Sequence, residues 1–171
     1  MRMMPRFCSQ RQLEVRMPKK PTHADAELIL KLYDLRRESE MRKARQWWAM
    51  KFWPDNAEDF MKVTAATGTP ENNWLRQVLG YWDIAASLVV HGTLSEKLFL
   101  EPSFSGELFI IYVKLLPFLK ELREKMQSPY FLLNAEKVIK GSKTGRERLK
   151  YFEQRVAARR KVMKEAAEKA G

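Results

Sequence analysis

The sequence predicts an all-α fold, a compact multi-helix bundle around one central buried helix. Three observations carry this. Every apolar run has helical spacing, and none alternates with period two over strand length. Prolines, glycines and short polar residues fall where helices begin and end. Residues 69–91 are apolar over more than half a helical circumference, as expected of a helix covered on several sides.

That stretch, TPENNWLRQVLGYWDIAASLVVH, is the hub. Thr69 supplies an N-cap, and Pro70 follows where its missing N–H is not needed. Glu71 suits the positive end of the dipole, and Gly92 closes the far end. The helix, about 70–91, spans roughly 33 Å at 1.5 Å per residue. Steps of about 100° per residue put Trp74, Leu75, Val78, Leu79, Tyr81, Trp82, Ala85, Ala86, Leu88, Val89 and Val90 on one arc. Arg76, Gln77, Gly80, Asp83, Ser87 and His91 share the rest with Ile84.

Residues 1–22 have no periodicity and three prolines, and read as a disordered basic arm. Met17 is an alternative start. Thr22 and Asp25 resemble a capping box that opens one long helix running to Trp53, where Pro54 stops it. Its apolar stripe, Leu28, Leu32 and Leu35, fades into the polar stretch 36–46, which is expected to be solvated. Trp47, Trp48, Phe52 and Trp53 then read as core. Residues 55–67 form a short helix capped by Asp55 and closed by Gly68, and 95–100 form another. Residues 105–126 form a long helix kinked at Pro117. After a short helix over 129–139, the glycines at 141 and 145 mark a hinge. The last helix, 146–169, carries Leu149, Phe152, Val156, Met163 and Ala166 near heptad positions, interrupted by Arg159. It either packs back on the domain or forms a weak coiled coil. The organisation is thus an arm (1–22), a helical domain (23–141) and a basic C-terminal helix or tail (142–171).

With 171 residues and 45% hydrophobic content, the chain is large enough for one real core. The net charge of +11 sits at its two ends. Residues 1–22 carry six Lys/Arg against one acid, residues 142–171 ten against four, and residues 23–141 sixteen of each sign. One cysteine, Cys8, excludes a disulfide within the chain and fits a reducing compartment. The apolar run 108–119 is broken by Lys114 and Pro117 and is short for a bilayer, so a cytoplasmic location is expected.

Asp83, Ser87 and His91 recur at four-residue spacing and suggest a catalytic triad. The base must lie between the other two, however, and here Ser87 does, with Asp83 about 12 Å from His91. With Arg76 they read better as a polar arc facing a partner. His23 and His91 are far apart, and neither a metal nor a cofactor is expected. The expected function is binding or scaffolding through protein–protein contact or self-association. The alternative is association with nucleic acid or an anionic membrane surface through the basic ends, with Arg155, Arg159, Arg160, Lys161 and Lys164 as contacts. A weaker alternative is an enzyme with a site near Arg76 and Asp83.

The run YWDIAASLVVHGTLSEKLFLE, then FIIYVKLLPFLKELREK and PYFLLNAEKV, resembles a small bacterial family catalogued as a domain of unknown function, over roughly residues 72–138. The chain departs from that pattern at Asp83, where glutamate is expected, and in its basic tail. The resemblance implies an all-α fold and supplies no catalytic residues.

Overall fold

The computed structural model describes residues 20–170, so the arm expected over 1–22 lies almost wholly outside the described part. Helix α1 (His23–Leu35) opens on a full capping box. Thr22 Oγ1 accepts the Asp25 N–H, and the Asp25 carboxylate accepts the Thr22 N–H at 2.8 Å. The buried Asp25 also accepts the Ser95 N–H at 2.7 Å, pinning α1 to the start of the short helix that follows the central one.

The single long helix expected over 23–53 is two helices. The chain turns at 36–38, and α2 (Ser39–Met50) restarts with Glu38 as its cap, accepting the Met41 N–H at 2.8 Å. The cause is tertiary. Arg36, only 7% exposed, sends its Nη1 inward to donate to the Phe104 carbonyl at 2.9 Å. The polar stretch is therefore a buried joint at its start rather than a solvated rod. Downstream the core reading is correct: Trp47 stacks on Phe52 at 4.5 Å, and Trp48 meets Phe52 edge-on at 5.0 Å.

Helix α3 (Ala57–Ala65) is capped by Asn56 instead of Asp55, which is engaged elsewhere. Gly68, at φ +87°, makes the turn into α4 (Pro70–Val90), capped by Thr69 as expected. Leu75, Val78, Leu79, Trp82, Ala85, Ala86 and Val89 are buried, and α4 packs between α2 and α8 with α3 against its start.

After α5 (Glu96–Phe99), helix α6 (Pro102–Leu115) begins three residues earlier than expected, with Pro102 in its first turn. Pro117 breaks it as expected: a 3₁₀ turn (Leu116–Phe118) leads into α7 (Leu119–Lys125). Taken from Pro102 to Lys125, this stretch is long and apolar enough to cross a membrane. In the fold its most apolar 18 residues are 61% buried against protein, and Lys114 lies at its middle, fully buried, as in a core helix.

Helix α8 (Leu133–Gly141) and α9 (Lys143–Ala170) meet at a tight corner where a hinge was expected. Only Ser142 is extended, and its Oγ accepts the Gly145 N–H at 3.1 Å. A Cβ at position 145 would lie 2.3 Å from the Ile139 carbonyl oxygen, so this glycine permits close approach, not flexibility. From there α9 folds back on α6 and α8, and Phe152 stacks on Phe109 at 5.3 Å. Among the described residues all regular structure is helical.

Gly145→Ala is expected to destabilise the fold by about 1–3 kcal/mol through overpacking. Gly80→Ala, on the open face of α4 with nothing within 4 Å, should be neutral or stabilising by up to about 1 kcal/mol. Urea denaturation of the two variants checks this, and equal effects would contradict the corner.

Candidate functional site on the last helix

Two charged sites, one half-buried around Glu107 and one fully buried at Lys114, set the frame. Glu107 of α6 accepts Arg45 Nε with both carboxylate oxygens at 3.0 Å and Trp82 Nε1 at 3.0 Å, while Arg36 Nη2 lies 4.0 Å away. The Arg36 guanidinium sits among the rings of Trp82 (5.3 Å), Phe104 (5.7 Å) and Tyr33 (5.9 Å). Burial holds its pKa below the usual arginine value, while Glu107 acts in the opposite direction. This cluster joins helices and offers no substrate a place to sit.

Lys114 is fully buried. It donates to the carbonyls of Trp48 at 2.5 Å and Phe52 at 3.0 Å, satisfying acceptors left over at the end of α2, and lies 3.7 Å from the Trp53 ring centre. Burial pushes its pKa down to about 7, and the Arg160 charge acts in the same direction. An amine tuned this way suits catalysis when reachable; full burial makes this one a staple.

The accessible chemistry is on α9. Winding about 100° per residue from Phe152, which faces the core, brings Arg148, Tyr151, Arg155, Arg159 and Val162 onto one flank. Arg148 Nη1 donates to the Ser105 hydroxyl at 2.8 Å and to the Leu100 carbonyl, with its guanidinium 4.6 Å from the Phe109 ring centre. Tyr151 is 56% exposed, and its hydroxyl accepts from Arg155 Nη1 at 3.4 Å. With Pro102, Glu147 and Phe152, these residues line a groove of about 430 Å³. Glu147 is its acidic member and lies 3.8 Å from Lys143.

The five cations singled out in the sequence separate in space. Arg155 and Arg159 lie on this flank. Arg160 anchors α9, donating to Asp55 and to the Pro54 carbonyl at 2.7 Å each. Lys161 and Lys164 point to the opposite side by helical angle, Lys161 beside Glu165 at 3.9 Å. Arg148 was missed because it precedes the dense basic run; its spacing of seven and eleven residues from Arg155 and Arg159 was the available signal. On α4, Asp83 accepts from Asn134 Nδ2 at 3.3 Å and Ser87 donates to the Ile84 carbonyl at 2.7 Å. His91 is the exposed C-cap and Arg76 is exposed, so the arc is not gathered into one centre. Among the described residues no group of three His, Cys, Asp or Glu is placed to hold a metal ion.

Residues 21–142, from the cap of α1 to the corner before α9, match the domain of unknown function DUF4760. The chain belongs to this family. The resemblance seen over 72–138 therefore extends back through α1–α3, and the family match ends where α9 begins. Neither curated proteins nor solved structures give a match to the chain.

The staple in this family member has a pH signature. Lys114 titrates near 7 when folded and near 10.4 when unfolded, so between those values the unfolded chain binds the extra proton. Stability should rise with pH across that window, by at most about 1.4 kcal/mol per unit, and Lys114→Met should remove the rise. Unfolding free energies at a series of pH values check this; parallel profiles for the two proteins would refute it.

Proposed function

We propose that the protein is a helical binding module that holds an anionic macromolecule against the flank of α9, with the family domain as scaffold. The observation that carries this reading is the row Arg148, Arg155, Arg159, interleaved with Tyr151, whose first two arginines line a groove. Along the helix axis these arginines are about 10 Å and 6 Å apart, on an element fixed by Phe152 and Val156 in the core. Residues 142–171 carry ten basic against four acidic side chains, while 23–141 balance. An anionic chain is thus drawn to one end of the molecule.

A second reading, contact with a protein partner or a second copy, is favoured by a different observation. Leu30, Leu35 and Ile84 are 66%, 60% and 62% exposed, on two helices bridged by the Tyr81 hydroxyl donating to the Leu32 carbonyl at 2.9 Å.

Binding of heparin and labelled oligonucleotides, followed by fluorescence anisotropy over a salt series, tests the first reading. Affinity should fall steeply with salt. Arg155→Ala combined with Arg159→Ala should flatten the slope by roughly two, while Lys161→Ala with Lys164→Ala should change it less. Equal effects from both pairs would mean that the flank is not the contact.

A further inference from the structure

We propose that the anionic macromolecule is single-stranded nucleic acid, and that the groove beside Tyr151 seats one of its bases. This rests on the binding role assigned to α9 and names its ligand. Phosphate contacts alone need cations on an open surface, as Arg155 and Arg159 provide. They do not need a groove of about 430 Å³, within the range of small-ligand sites, with an exposed aromatic ring in its wall. Tyr151 offers that ring, held edge-on against Phe152 at 5.2 Å and 81°, and Pro102 contributes a second apolar surface from α6.

The polar groups fit one orientation. Arg148 spends Nη1 on Ser105 and Leu100, and among the described residues its Nε and Nη2 carry no protein hydrogen bond. They are left to donate to the carbonyl or ring-nitrogen acceptors of a base. Glu147 at the groove edge repels a phosphate but accepts from base N–H groups, so the base end points towards Glu147 and the backbone towards Arg155 and Arg159. A duplex keeps its bases stacked inside and cannot use Tyr151, whereas an unpaired strand lays bases on aromatic rings and phosphates along cations.

The test uses the full-length protein with a labelled 12-mer of deoxythymidine, a duplex of equal length, heparin and phosphatidylserine vesicles, all at one salt concentration. The single strand should bind at least about 10-fold tighter than the duplex. Tyr151→Ala should weaken single-strand binding roughly 5- to 100-fold, as loss of one stacked base does, with duplex and heparin binding unchanged. Tyr151→Phe should retain the wild-type affinity, and far-UV circular dichroism confirms that both variants fold. Equal affinity for single strand and duplex, with no effect of Tyr151→Ala, would overturn the base seat while leaving polyanion binding intact. Tighter binding to vesicles than to any oligonucleotide would overturn it in favour of a lipid surface. Failure to bind any of the four would remove the underlying reading as well.

Discussion

The Glu107 carboxylate is the constraint on which the rest of the arrangement depends. It sits in an otherwise apolar stretch of α6 and receives Arg45 from α2 and Trp82 from α4, with Arg36 close by from the turn between α1 and α2. A charge taken out of water must be paired, or its desolvation penalty stands uncompensated. Pairing it draws three segments onto α6. The buried Arg36 guanidinium carries the break in the first helix: it reaches the Phe104 carbonyl and lies among three rings where the chain turns at 36–38. Two arginines against one carboxylate leave positive charge in the cluster, and the faces of Trp82, Phe104 and Tyr33 offset part of it.

About two turns of helix beyond Glu107, Lys114 repeats the device from the same α6. It ties down the C-terminal carbonyls of α2, so α2 is held to α6 at its middle, through Arg45 on Glu107, and at its C-terminal end, through Lys114. Helix α9 then closes the far side through Phe152 on Phe109, Arg148 on Ser105 and Arg160 on the turn before α3. Its inner face is committed to packing. Its outer flank is consequently shown to solvent in one fixed orientation, which is what a row of arginines needs to act as a unit. Fold and proposed contact surface are linked at that point.

How much of this was legible depends on whether the cause was local. The central helix was readable because Thr69, Pro70 and Gly92 punctuate it and its arc is broad; the break at Pro117 was readable because proline removes a donor wherever it sits. The break at 36–38 was not, since no proline or glycine marks it and its cause lies 68 residues away at Phe104. Gly145 was visible, but sequence alone does not distinguish a glycine that bends from one that lets two backbones touch. The buried Lys114 had a signal that reads in the sequence only as an interruption: it stands inside an apolar helix, where a charge must find partners. Glu107, at the start of that run, carried the same signal unread. At the contact surface, Arg155 and Arg159 were legible from charge density, while Arg148 and the groove emerged only once α6 and α9 were side by side.

The Glu107 carboxylate, by its charge, holds α2 and α4 to α6. Glu107→Gln keeps the shape and removes the charge, so the unfolding free energy of this variant measured in urea is the most direct test. A loss of about 2–4 kcal/mol is predicted, because Arg45 and Arg36 are left facing each other without a counter-charge. A change below about 0.5 kcal/mol would mean that the charge does not hold the joint, which would then be a matter of packing alone.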